Sequence, residues 1–303
     1  MEHTTQDSGR LVADFGAVLV ARTGQHLLEL SGPELLETVR REGAVLLRGF
    51  AGSLQDFEAF TQTVAARFIH NGNDEREALG DQGRTRSVTP GKNYVGPHSE
   101  FSYTPFRPDL LFFHCIHPAA AGGASLLWDG RRIWRDMPDD IKELFLKKRI
   151  LFRYRNVGAE FFGQFTGATS LEGVERFLAG VGNLSCKRTA QGFDIDYAAA
   201  ACVNEPGTPH LSFSNSIAVL PETEFDDGSM LDAATRGELL ALALKQTVRI
   251  ETLPGDVLVL DNWRTMHGRE AFDDPARRMC IRMGYASAGA CADAAQEIEE
   301  VEY

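Results

Sequence analysis

Leu35, Leu36 and Val39 recur at helical spacing behind Ser31-Gly32-Pro33-Glu34, where a serine precedes a glutamate by three residues. That capping-box pattern predicts a helix opening at Ser31 and ending at Gly43. Leu54, Phe57, Phe60, Val64 and Phe68 form a second helical stripe, predicting a helix over 53–68. Between the two, Ala44-Val45-Leu46-Leu47 is an unbroken apolar run, read as a short buried strand. Leu110 to Phe113 and Ala124 to Trp128 read as strands joined across the turn Ala121-Gly122-Gly123, and residues 133–148 and 232–245 as helices. The last third turns to strands at Val248 to Glu251, Asp256 to Leu260 and Met279 to Tyr285, with the turn Pro254-Gly255-Asp256 between the first two.

The stretch from Asn71 to Gly96 shows neither period, and its Asn, Asp, Gly, Arg and Thr predict a long loop. Loops of that length in a compact domain are commonly functional. Phe161-Phe162-Gly163-Gln164-Phe165-Thr166 reads as either a lid or a buried hairpin. Many short strands between Gly and Pro turns, with helices outside them, predict an all-β core with helices, of α+β class. The expected form is a double-stranded β-helix, or jelly roll, with helical insertions. No repeat or low-complexity linker divides the 303 residues, so a single domain is expected, with 1–30 and 288–303 peripheral.

Composition narrows the partners. A chain 43% hydrophobic and 24% charged can bury an ordinary globular core. Its formal net charge of −12 argues against nucleic acid and against an anionic membrane surface. The opening MEHTTQDSGR carries no basic region followed by an apolar run, and no stretch approaches the roughly 18 apolar residues of a membrane span. Cys115, Cys186, Cys202, Cys280 and Cys291 are odd in number and lack CxxC spacing, which suits free thiols. A cytoplasmic location is expected.

Chemistry enters at Gly96-Pro97-His98-Ser99-Glu100, where a histidine and a carboxylate two residues apart would share one face of a strand. His267 follows the apolar run Val257 to Leu260 and supplies a second imidazole at a strand end. Two histidines and a carboxylate are the facial triad of non-heme Fe(II), and zinc takes the same set. His114 and His117, three apart on a strand, face opposite ways; His70 reads as a helix-end residue and His210 as core or pocket lining. Arg278 and Arg282, four apart on the last strand, share a face, and arginines on an apolar strand call for anions. Gly122-Gly123-Ala124-Ser125 brings a hydroxyl to the start of another strand.

His98-Ser99-Glu100, the Gly-Gly-Ala-Ser turn, LPGDVLVLDNWRTMHGREAF around His267 and the arginines beyond it resemble the TauD/TfdA group of Fe(II)/2-oxoglutarate dioxygenases, over about residues 40–287. The resemblance implies that His98, Glu100 and His267 bind Fe(II), and that Ser125 replaces the threonine that helps hold the distal carboxylate of 2-oxoglutarate. Arg278, eleven residues past His267, matches the taurine branch as the grip on that carboxylate. Arg282 matches the clavaminate-synthase and asparagine-oxygenase branch; whichever is not the grip is left for an acidic group on the substrate. Glu100 replaces the aspartate usual in taurine dioxygenase, as in some amino-acid hydroxylases of natural-product pathways. It is not the Gly or Ala of the halogenases, so halogenation is not expected.

The implied reaction consumes 2-oxoglutarate and O2, releases succinate and CO2, and oxidises an unactivated C–H. Hydroxylation is the default outcome, with desaturation, epoxidation or cyclisation as alternatives. A small amino-acid-like or carboxylate-bearing substrate is expected, free or tethered to a carrier protein, against Asn93, Tyr94, Phe101, Tyr103, Phe213, Asn215, Trp263 and Arg282. A zinc hydrolase and a non-enzymatic jelly-roll binding protein are the competing readings. Oligomeric state has no sequence signal.

Overall fold

The computed structural model describes residues 6–70, 76–166, 168 and 170–287. Two sheets face each other. The larger has nine strands, and along its path Phe15–Val20, Ala44–Arg48, Val257–Asp261, Leu110–His117 and Arg278–Tyr285 are neighbours. The smaller orders Val248–Ile250, Ser125–Asp129, Thr265–Arg269 and Val95–His98. This is the jelly-roll core expected, with helices outside it.

Strand alternation explains why these segments are apolar throughout. Ala44, Leu46, Leu258, Leu260, Leu111 and Ile281 point into the sandwich. Their neighbours Val45, Leu47, Val257, Val259, Phe112 and Cys280 point out against Phe57, Phe60 and Val39 of the covering helices. A strand buried on both faces shows no polar alternation.

The first helix spans Gly32–Glu42, with the Ser31 hydroxyl accepting from the Glu34 amide and Gly43 closing it at φ 80°. The second is shorter than its stripe predicts. It spans Leu54–Val64 behind a Ser53–Asp56 capping box. Arg67–Phe68 then pairs with the Arg278–Tyr285 strand, so Phe68 belongs to the sheet and His70 does not end a helix. Residues 133–148 resolve into Gly130–Asp136 and Asp139–Lys147, parted at Met137-Pro138, because the residue before a proline is driven out of the helical region. Ala233–Lys245 is capped by Asp232. The Ala121-Gly122-Gly123 turn carries the chain from one sheet to the other and makes no hairpin.

Two regions depart further. The 71–96 loop contains the strands Ala78–Gly80 and Thr85–Ser87, which extend the large sheet; residues 71–75 lie outside the described ones. Residues 150–199 form a separate layer: Ile150–Val157, Phe193–Ala199 and Leu184–Arg188 make a three-stranded sheet enclosing two helices. The aromatic segment predicted as lid or hairpin is the helix Ala159–Thr166, with Phe162 and Phe165 buried. Cys115, Cys186, Cys202 and Cys280 are free thiols, and Cys291 lies outside the described residues. No described helix is long and apolar enough to cross a membrane.

Candidate active site

The small sheet brings the histidines together. Thr265–Arg269 runs antiparallel to Val95–His98 with His267 directly opposite His98, and the ring centroids lie 4.2 Å apart. Gly268 permits this approach, since a Cβ there would strike the carbonyl oxygens of Val95 and Gly96 and the Trp128 ring. Glu100 joins them by a route different from the strand spacing read in the sequence, because the strand ends at His98. Its backbone is clamped by the buried Asn262, whose Oδ1 accepts from the Glu100 amide at 3.0 Å and whose Nδ2 donates to the Glu100 carbonyl at 2.9 Å. Phe101 then turns the chain away at φ 55°, a left-handed conformation uncommon for an aromatic residue.

Glu100 Oε2 lies 3.6 Å from His98 Nε2 and 3.7 Å from His267 Nε2. Two ligands each about 2.1 Å from one ion stand no more than about 4.2 Å apart, so these atoms fit a shared metal. His98 Nδ1 meets the Gly96 carbonyl at 3.0 Å, which sets the tautomer that leaves Nε2 as the free donor. Burial pushes His267 well below its usual range, with the His98 charge adding to it, so its imidazole is neutral as a ligand must be. For Glu100, burial raises the carboxyl, but the Arg76 guanidinium and the two imidazoles outweigh it and hold it well below the usual carboxylate range. Arg76 Nη2 donates to the other carboxylate oxygen, Oε1, at 3.0 Å. The donor set suits iron or zinc, and the rest of the cavity must distinguish them.

That cavity, of about 140 Å³, opens between the sheets. Phe113, Leu258, Met279 and Ile281 line it from the large sheet, and Ser125, Leu127, His267 and Arg269 from the small one. Arg277, the residue just before the last strand, is the arginine that enters it, lining the cavity together with Met279 and Ile281 of that strand.

Arg278 and Arg282 do share a face, as read in the sequence, but it is the opposite one. Arg278 is exposed and pairs with Glu77 at 3.2 Å. Arg282, 0% exposed, lies over the Phe68 ring and donates to Asp81 at 2.7 Å and Thr85 at 2.6 Å. Its anions come from the covering layer. Neither residue reaches the cavity.

Arg277 and Arg269 sit on the Phe272 ring at 4.9 and 5.0 Å from its centroid. Among the described residues no carboxylate pairs with either. Burial, then the Arg269 charge, pulls Arg277 down to about 10. Two cations against one aromatic ring in a cavity suit an anionic ligand. Arg269 stands directly across from Ser125, and Arg277 Nε donates to the Gly123 carbonyl at 3.2 Å. The paired glycines have φ values of 68° and 69°. A Cβ on Gly122 would strike the Ala271 carbonyl, and one on Gly123 would press on the Arg277 side chain.

The family model for the taurine catabolism dioxygenase TauD, TfdA family, matches residues 7–283. The chain belongs to that family. It is an Fe(II)- and 2-oxoglutarate-dependent dioxygenase using O2 as cosubstrate and acting on a small molecule. A clavaminate synthase-like protein of Arabidopsis thaliana is 23% identical over 268 residues, covering 79% of this chain and 81% of that protein. The 3-((Z)-2-isocyanoethenyl)-1H-indole synthase of Fischerella ambigua is 25% identical over 171 residues, covering 55% and 62%. Among solved structures, PvcB of Pseudomonas aeruginosa superposes with a TM-score of 0.59 at 21% identity, covering 90% of this chain and 86% of that one. It is described as an Fe, alpha-ketoglutarate dependent oxygenase from an isonitrile synthetic pathway. AAD-2, solved with Mn(II) and N-oxalylglycine, superposes with a TM-score of 0.60 at 15% identity, covering 93% and 97%.

The predicted substrate residues of this dioxygenase scatter. Tyr103 stands near Glu100, whose charge adds to burial in raising its phenol, and it packs in an aromatic cluster with Phe101, Phe152 and Phe165. Asn93 and Tyr94 are exposed on the approach, and the Asn93 carbonyl accepts from Arg269 at 3.1 Å.

Phe213, Asn215 and Trp263 do not line the cavity that holds the triad. Phe213 packs on Phe145, Asn215 bonds Ala201 and Ile217, and Trp263 bonds Asp109 while Arg107 covers its ring. Of the other histidines, His114 is buried against Phe57, and His117 and His210 are exposed. Sequence reasoning missed Arg76, Arg269 and Arg277. Arg269 lies two residues past His267 on one strand, the same spacing that flagged Glu100. Arg76 sits in a polar loop with no pattern to mark it.

Proposed function

We propose that His98, Glu100 and His267 hold Fe(II), that Arg277 with Ser125 grips the distal carboxylate of 2-oxoglutarate, and that the enzyme hydroxylates an unactivated C–H. The substrate is a small amino-acid-like or carboxylate-bearing molecule, free or delivered on a carrier protein. One observation carries the reading: the metal triad and the Arg269–Arg277 couple, which no carboxylate among the described residues pairs with, line one cavity between the sheets. A zinc hydrolase has no use for that second feature, and neither does a simple binding protein.

The iron, when bound, supplies oxidative decarboxylation of 2-oxoglutarate and the oxidising power for the C–H bond. The chain supplies the rest. Arg277 and Ser125 orient the cosubstrate, and Arg269 lies alongside, its guanidinium committed to the carbonyls of Thr89, Gly91 and Asn93. Val88, Phe113 and Ile281 keep bulk water from the reacting face.

Desaturation is the second reading. The ethenyl group in the name of the isocyanoethenyl-indole synthase supports it, and it needs only another fate of the same substrate radical.

The test begins with anaerobic Fe(II) plus 2-oxoglutarate, which should give a weak visible charge-transfer band that His98→Ala abolishes. No band in the wild type, or an equal one in the variant, refutes the iron assignment. Succinate release is then followed against free and carrier-bound amino acids and their isonitrile derivatives. Gain of one oxygen in the product supports hydroxylation, whereas loss of two hydrogens supports desaturation.

A further inference from the structure

Arg76 has no place in the ligand set or in the grip on 2-oxoglutarate, yet it is 9% exposed and lines the same cavity. Its contacts divide the Glu100 carboxylate. Nη2 holds Oε1 at 3.0 Å, while Oε2 is the oxygen 3.6 and 3.7 Å from the two imidazoles. The guanidinium is itself anchored. Nε and Nη2 donate to the Thr89 hydroxyl at 3.2 and 2.9 Å.

We propose that Arg76 is a positioning residue that holds Glu100 by one oxygen so that the other meets the metal as a single donor. A carboxylate left free can turn both oxygens to a metal, and each position so taken is lost to cosubstrate or O2. An arginine bonded to one oxygen opposes that turn geometrically and electrostatically. The pairing also gives the glutamate a physical reason. Its extra methylene, relative to aspartate, carries the carboxylate far enough from the Asn262-clamped backbone to face the imidazoles and Arg76 together.

This rests on the metal reading of His98, Glu100 and His267, so the experiment separates the two. Co(II) alone is titrated into the full-length protein, and affinity and visible absorption are recorded before and after adding 2-oxoglutarate. His98→Ala should lose Co(II) binding; wild-type binding there overturns the metal reading itself. With that control met, Arg76→Met should show an altered Co(II) absorption envelope as Glu100 turns, and its Co(II) form should bind 2-oxoglutarate about 10- to 100-fold more weakly; Arg76→Lys should recover much of both. Thr89→Val keeps the charge and loosens only the anchor, and should give a smaller change in the same direction; it decides the matter if the methionine variant fails to fold. Wild-type 2-oxoglutarate affinity and Co(II) spectrum in Arg76→Met, or in Thr89→Val where that variant decides, overturn the proposal.

Discussion

The sharpest consequence of the cavity lining is that adjacent arginines should behave oppositely. Replace Arg277 by Leu, and separately Arg278 by Ala. Arg277 lies on the cavity side with Met279 and Ile281, against Phe272 and beside Gly123. A hydrogen bond to a charged group contributes about 1.5–3 kcal/mol, which corresponds to a loss of about 10- to 150-fold in affinity for 2-oxoglutarate. The lower end is expected, because Arg277 is only partly buried and Arg269 remains against the same Phe272 ring. Arg278 forms an exposed pair with Glu77, and such pairs contribute about 0–1 kcal/mol to stability and nothing to a cavity they do not face. The assay is an anaerobic titration of the Fe(II) protein with 2-oxoglutarate, read at the charge-transfer band, so that binding is separated from turnover. Tenfold weaker binding in Arg278→Ala with none in Arg277→Leu would refute the reasoning from the lining.

The remaining predictions test the frame around the site. Arg282→Met should cost about 3 kcal/mol in urea unfolding, the low end for breaking a buried ion pair because Asp81 keeps some access to water, and should leave 2-oxoglutarate affinity unchanged. Gly268→Ala should push the Val95–His98 strand off its neighbour and weaken Co(II) binding more than tenfold, since its Cβ would meet two carbonyl oxygens. Burial, with the Glu205 charge, pushes Asp261 up to about 7, against about 3.9 unfolded. The folded state therefore binds that proton more tightly, and stability from this group, at most about 4 kcal/mol, is present below pH 4 and lost as pH rises through 7. Asp261→Asn should flatten that part of the pH profile; equal slopes in variant and wild type between pH 4 and 8 would count against it.

The His98, Glu100 and His267 cluster was legible in the sequence because these are rare residue types in a telling order. The arginines that line the cavity were not, for a physical reason. From Arg277 to Tyr285 both parities are apolar enough to be buried, since one faces the cavity and the other the helix layer. Repeated arginines mark a face that must meet anions, but the anions need not be ligands. For Arg282 they are Asp81 and the more distant Glu58, brought by a loop and a helix whose docking the sequence does not announce. The second helix shows the same limit. Its stripe runs on to Phe68, yet Phe68 fills a gap beside Phe112 from the sheet side, and tertiary packing overrides the period. The 150–199 layer could have been found in part. Phe193, Ile195 and Tyr197 alternate strictly with partly exposed positions, which is a strand signal on its own.

Glu100 shows how the two levels meet. Two residues after His98, it would be placed by a regular strand on the same face at a fixed distance. The strand instead stops at His98, and the carboxylate is delivered by a turn fixed at both ends, through Asn262 on the backbone and Arg76 on the side chain. A turn tolerates a longer side chain where a ladder would not, because the backbone can set back until the carboxylate fits. The exchange of aspartate for glutamate is then expected to be coupled to its supports. Glu100→Asp by itself should retract the carboxylate from Arg76 or from the imidazoles and weaken Co(II) binding. In an Arg76→Met background the same change should cost less, because the bond it breaks is already absent. Equal losses in both backgrounds would show that Arg76 and Glu100 act independently and that the turn alone sets the ligand.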